Sequence, residues 1–166
     1  SSAFVRPVVR VRLQRVLGAH GVVACYSARE ALVQALVWSV DGGRLCGRRP
    51  DRIVAVVQSR GEEKANNESD VVRVVAATSR HVVALDVPSA LLEAADPEAF
   101  AGGSTPVRSA TWVVARHAVA GIDRDSANSA VLLLHGSGRA ADGLGEQRIE
   151  SESALELDVF VRKLQQ

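Results

Sequence analysis

Short valine-rich runs bounded by glycine, proline or charged clusters recur along this chain. "RIVAVVQ", residues 52–58, is the clearest: too short for a stable helix, β-branched, and apolar at consecutive positions. "GVVAC" (21–25), "RHVVALDV" (80–87), "ATWVVARHAVA" (110–120) and "SAVLLLH" (129–135) read in the same way. A strand apolar at consecutive positions has two faces to bury, so a sheet of such strands needs a covering layer on each side.

The segments between them supply candidate covers. In "YSAREALVQALVWSV", Ser27 followed by Glu30 forms a capping box, Leu32, Val33, Leu36, Val37 and Val40 form a helical stripe, and Asp41-Gly42-Gly43 stops the helix. "PVVRVRLQRVL" (7–17) has Val9, Leu13, Val16 and Leu17 at helical spacing behind Pro7, with a strand as the second reading because Val9, Val11 and Leu13 also alternate. Ser69 or Asp70 is placed to cap a helix over Val71–Ala76, and "PSALLEAAD" opens a short helix. "GIDRDSAN" reads as a turn, and "ALELDVFVRK" as a strand through Leu155, Leu157, Val159 and Val161. This order predicts an α/β protein: a three-layer α/β/α sandwich with a central mixed sheet, plus two C-terminal strands as an extension. The whole of 1–166 is expected to be one domain, with a core over about 5–118 and the extension over about 119–166.

Charge is distributed unevenly. Residues 1–60 hold ten arginines and three acids, a net +7, whereas residues 61–166 hold ten Lys or Arg and sixteen acids, a net −6. Arginine outnumbers lysine eighteen to two, which fits an arginine-favouring genome, but the asymmetry between the halves is less easily explained that way. It points to an anionic partner for the first half. No run approaches the roughly 18 apolar residues of a membrane span. The opening "SSAFVRPVVRVRLQ" interrupts its apolar residues with arginines, unlike a signal peptide. Cys25 and Cys46 are too few for a disulfide framework or a zinc site, which favours a reducing compartment.

One motif spells catalysis. "SAVLLLHGSGRAADG" runs from an apolar strand into His135-Gly136-Ser137-Gly138. As a hydrolase oxyanion loop it would need a G-x-S-x-G nucleophile elbow downstream, then Asp and His; the 28 residues after Gly138 contain neither that elbow nor a histidine. As the dinucleotide fingerprint G-x-G-x-x-A it would need a helix inside a βαβ unit, and Gly143 and Gly145 stand where that helix would run. A glycine-rich, hairpin-like connection between two strands is the favoured reading. His20, His81, His117 and His135 show no ligand spacing. Asp86 ends a strand, where capping of the next turn is expected rather than acid catalysis. Trp38 reads as core or rim of its helix.

The segment "VRLQRVLGAHGVVACYSAREAL" (11–32) resembles the opening of the kink-turn RNA-binding superfamily of ribosomal and ribonucleoprotein proteins. That family opens with a basic helix, a Gly turn, a short apolar strand and a Gly-x-Asn-Glu-x-x-Lys helix start. "RIVAVVQ" is similar to its second strand, "VVRVVAATSRHVVALDVPSALLEAA" to its helix-strand-helix, and "STPVRSATWVV" to its last loop and strand. Tyr26 stands where the family has Asn, Ser27 where it has Glu, and Glu30 where it has Lys. Those departures match a divergent member of the RNase P/MRP accessory-subunit kind better than a standard kink-turn binder.

The resemblance and the charge together imply a non-catalytic RNA-binding subunit of a ribonucleoprotein: a tRNA- or rRNA-processing particle of the RNase P/MRP type, or the ribosome. The implied partners are structured RNA and other protein subunits, with no membrane, no DNA, no cofactor and no metal. An intracellular place is implied, with nucleus or nucleolus favoured over cytoplasm or mitochondrion. The expected RNA contacts are Arg10, Arg12, Arg15, Tyr26, Ser27, Arg29, Arg48, Arg49 and Arg108. The alternatives are a small nucleotide-binding or hydrolase-like domain using the Gly136–Gly138 loop, or a protein-binding scaffold of a large assembly.

Overall fold

A computed structural model describes residues 9–12, 22–25, 28–40, 52–59, 71–94, 107, 109–135 and 145–166. The chain is mixed α/β. Strands β1 (Val9–Arg12) and β2 (Val22–Cys25) form an antiparallel ribbon, followed by helix α1 (Ala28–Ser39). Strands β3 (Ile53–Ser59), β4 (Val71–Thr78), β5 (His81–Pro88) and β6 (Trp112–Ala115) form a four-stranded sheet in sequence order, with helix α2 (Ser89–Ala94) after β5. A 3-10 turn, Arg116–Ala118, leads into the three-stranded sheet of β7 (Val119–Ser126), β8 (Ser129–Leu134) and β9 (Glu146–Glu150). Helix α3 (Ala154–Leu164) follows.

Every strand pairing among the described residues is antiparallel, where the sequence reading expects a mixed sheet. The cause is local. Val71–Ala76, expected as a helix, is the first part of β4. A helix between β3 and β5 would act as a crossover, whereas a strand there makes a meander of hairpins. The valines at 71, 72, 74 and 75 lose χ1 freedom in a helix, and in a run this short, burial on both faces mimics helical periodicity. Val74 and Ala76 pack on one side of the sheet, with α1; Val75 and Ala77 pack on the other, with α3.

The segment 155–161, expected as a strand, is helical for an equally local reason. Ser153 Oγ accepts a hydrogen bond from the Glu156 backbone N–H at 3.2 Å and caps α3. The buried residues are Leu157, Phe160, Val161 and Leu164, an i, i+3, i+4, i+7 stripe. The alternation of Leu155, Leu157, Val159 and Val161 is incidental, and Leu155 is 74% exposed. Among the described residues the C-terminal part is therefore three strands and a helix rather than two strands. "GIDRDSAN" contributes to β7, an edge strand whose Asp123 and Asp125 are exposed and whose pairing with β8 carries two register shifts. Such irregularities blunt a free edge.

The 7–17 segment, expected first as a helix, contains a strand at Val9–Arg12, the second reading. Helix α1 forms as expected but is buried more completely than its stripe implies. All residues from Leu32 to Val40 are buried, Gln34 and Ser39 included. It contacts β3 as well as both strands of the ribbon. Ser39 Oγ donates to Leu36 O at 2.9 Å, so its buried hydroxyl is satisfied within the helix. No helix of the described residues is long and apolar enough to cross a membrane.

Candidate functional site

Three of the nine expected RNA contacts fall among the described residues. Arg10 and Arg12 lie on β1, where Arg10 pairs with Ala24 and Arg12 with Val22. The change from helix to strand matters for them. In a helix, positions two apart are roughly 200° apart around the axis, whereas in a strand they belong to one face. Arg29 is the second residue of α1. Arg15, Tyr26, Ser27, Arg48, Arg49 and Arg108 lie outside the described residues.

The His-Gly-Ser-Gly stretch connects antiparallel neighbours. Leu134 N donates to Gly145 O at 3.2 Å, which closes β8 onto β9, and His135 N donates to Ala118 O at 2.6 Å. A dinucleotide fingerprint requires parallel strands joined through a helix, so this connection has the wrong topology for one. Gly136, Ser137 and Gly138 lie outside the described residues. Asp86, read as a cap, instead faces Arg73 across β4 and β5, with Arg73 Nε on Asp86 Oδ1 at 3.0 Å. A carboxylate engaged by a guanidinium on its own sheet is a structural group. No cluster of three or more His, Cys, Asp or Glu side chains among the described residues is placed to hold a metal ion.

Among the described residues a concavity runs beside β3, an edge strand of its sheet. Val54 is an extra residue there, because Ile53 pairs with Thr78 and Ala55 with Ala77. The outward groups of this bulge are taken by side chains. Ile53 N donates to Gln34 Oε1 at 2.8 Å, and Lys163 Nζ donates to Val54 O at 3.5 Å. At the other end of β3, Glu150 N donates to Ser59 Oγ at 3.3 Å. The bulged start of this edge is thus covered by α1 and α3, and its far end touches β9. What remains is a groove of about 490 Å³ with an apolar strip of Val54, Val56, Leu155 and Val159. Arg52 and Lys163 line it as cations, Glu30 and Glu156 as acids.

Arg116 is a residue that sequence reasoning missed. Its guanidinium donates to Thr78 O at 3.2 Å and to Lys163 O at 3.0 Å, and to Leu164 O and Gln166 O at 3.4 Å each. These are the carbonyls of Thr78 at the end of β4, of Lys163 and Leu164 in the last turn of α3, and of Gln166 just beyond it; Lys163 O also accepts from Gln166 N at 3.3 Å. Arg116 therefore fastens α3 to the end of the four-stranded sheet. The local sequence "ARHAV" carries no signal of this, since every partner is distant in the chain.

No family model, curated protein or solved structure matches this chain.

Proposed function

We propose that the protein is a non-catalytic RNA-binding subunit of a ribonucleoprotein, holding structured RNA by phosphate neutralisation. The observation that carries this reading is the net +7 over residues 1–60, two of whose arginines, Arg10 and Arg12, occupy alternate positions of β1. Arginine's planar fork suits phosphate contacts, and a narrow ribbon is a shape that nucleic-acid grooves admit. The RNase P/MRP accessory kind of particle, and the nucleus or nucleolus with it, is proposed from the resemblance of residues 11–32. The strand at 71–78 withdraws the support that a helix there would have lent.

In this reading the layers stack as a three-layer sandwich. α1 covers one face of the four-stranded sheet, and α3 with the three-stranded sheet covers the other. Two separate core clusters support that arrangement. A protein neighbour within the particle is favoured by Leu155, 74% exposed beside Val159 on α3.

Titration of a fluorescently labelled structured RNA at about 50 and 200 mM salt tests the function. Wild type is expected to bind with a steep inverse salt dependence. Arg10→Ala/Arg12→Ala/Arg15→Ala is expected to bind about tenfold more weakly, with a flatter slope by roughly 2 to 3. Wild type that binds no RNA at the lower salt contradicts the proposal.

A further inference from the structure

The antiparallel meander brings cations from distant parts of the chain to one end of the four-stranded sheet. β3 begins just after Arg52, the β4–β5 turn carries Ser79 and Arg80, and β6 ends just before Arg116. Backbone hydrogen bonds place these segments side by side. Ser79 N donates to Arg52 O at 3.0 Å, and Arg116 N donates to Arg80 O at 2.7 Å. The last turn of α3 joins the row, because Arg116 holds Lys163 O while Lys163 Nζ reaches Val54 O. With neighbouring strands about 4.8 Å apart, the row from β3 to β6 spans roughly 14 Å. Arg52, Arg80 and Lys163 are exposed, and so is the flanking His117.

We infer that this end of the sheet is a docking surface for the phosphodiester backbone of RNA, distinct from the β1–β2 ribbon. The inference rests on the RNA-binding reading above. A row of this length is long enough to meet more than one successive phosphate of an RNA strand. Among the described residues the row offers cations without an aromatic platform: Trp112 stands at the opposite end of β6. Contacts of this kind position a protein on RNA and leave the base sequence unread. Arg116 adds charge, and its guanidinium is committed to carbonyls; its part is to hold Lys163 in the row. Glu30 and Glu156, in the adjoining groove with Arg52 and Lys163, bound the cationic surface on that side.

The test uses the full chain, a labelled RNA hairpin, and the variant Arg52→Gln/Arg80→Gln/Lys163→Gln. Affinity is expected to fall about tenfold at low salt, and the slope of log affinity against log salt to flatten by roughly 2. Scrambling the paired sequence of the hairpin is expected to change wild-type affinity less than twofold. Arg52→Lys/Arg80→Lys keeps the charge and is expected to keep binding within about threefold, which separates charge from folding. Arg80→Gln alone, on an exposed turn, is expected to weaken binding two- to threefold and serves if the triple variant does not fold. Unchanged binding by the glutamine variants, with Arg10→Ala/Arg12→Ala/Arg15→Ala weakened, overturns this surface and leaves the RNA reading standing. Wild type that binds no RNA overturns both. Binding to phosphatidylserine vesicles in place of RNA, lost in the triple glutamine variant, overturns the inference in favour of a membrane surface.

Discussion

Phe160→Ala is expected to lower the unfolding free energy by about 3–5 kcal/mol and the melting temperature by roughly 10 °C or more. Phe160 is fully buried in the cluster that unites α3 with both larger sheets. Its neighbours there include Val57 and Val75 of the four-stranded sheet and Leu132 and Ile149 of the three-stranded sheet. A cavity at this point is lined from several elements, so no single one can relax to fill it. The adjacent Val159→Ala is the control. Val159 is 39% exposed, and its truncation is expected to cost under about 1 kcal/mol. The pair also separates helix from strand. In a strand, Val159 would face inward with Leu157 and Val161, Phe160 would face solvent, and the two costs would reverse. Denaturant titration of both variants, read as a change in midpoint at constant slope, measures the difference.

Gln34→Leu is expected to cost about 2 kcal/mol although it makes the core more apolar. Gln34 is completely buried, and its Oε1 accepts the Ile53 amide at the bulged start of β3. Leucine fills similar space but offers no acceptor, so the amide is left buried with its hydrogen bond unmade. The stability loss should come with faster exchange of the Ile53 amide hydrogen, seen by nuclear magnetic resonance. A Gln34→Leu protein as stable as wild type, with Ile53 still protected, would show that the amide finds another acceptor.

The same letters that identify part of the fold also mislead about the rest. The strands around "RIVAVVQ", "RHVVALDV" and "SAVLLLH", helix α1 and the short α2 stand where hydrophobic period and turn residues place them. β4 fails because a strand buried on both faces has no alternation to read, and its valines at 71, 72, 74 and 75 fit a helical stripe as well. α3 fails for the opposite reason. Its apolar alternation looks strand-like, while Ser153 and Glu156 repeat the Ser27–Glu30 spacing that marks α1. Giving the capping box precedence over a four-residue alternation would have placed α3 correctly.

For the candidate site, charge asymmetry is legible in composition, and so is the arginine spacing of "RVR" at residues 10–12. The row of Arg52, Arg80, Arg116 and Lys163 is not. They come from four separate segments, and only the pairing of β3 through β6 and the docking of α3 bring them to one end. A helix at 71–76 would have separated them.

Direct contact between the arginines and RNA is what the proposed function requires. Ultraviolet cross-linking of the purified protein to a structured RNA, followed by mass spectrometry of its peptides, detects such contact. Nucleotide adducts are expected on peptides from residues 1–60 and on those flanking Arg80, Arg116 and Lys163, and they should fade as salt is raised. Absence of adducts under conditions that label a known RNA-binding protein, or adducts confined to 119–150, would show that these arginines do not hold RNA.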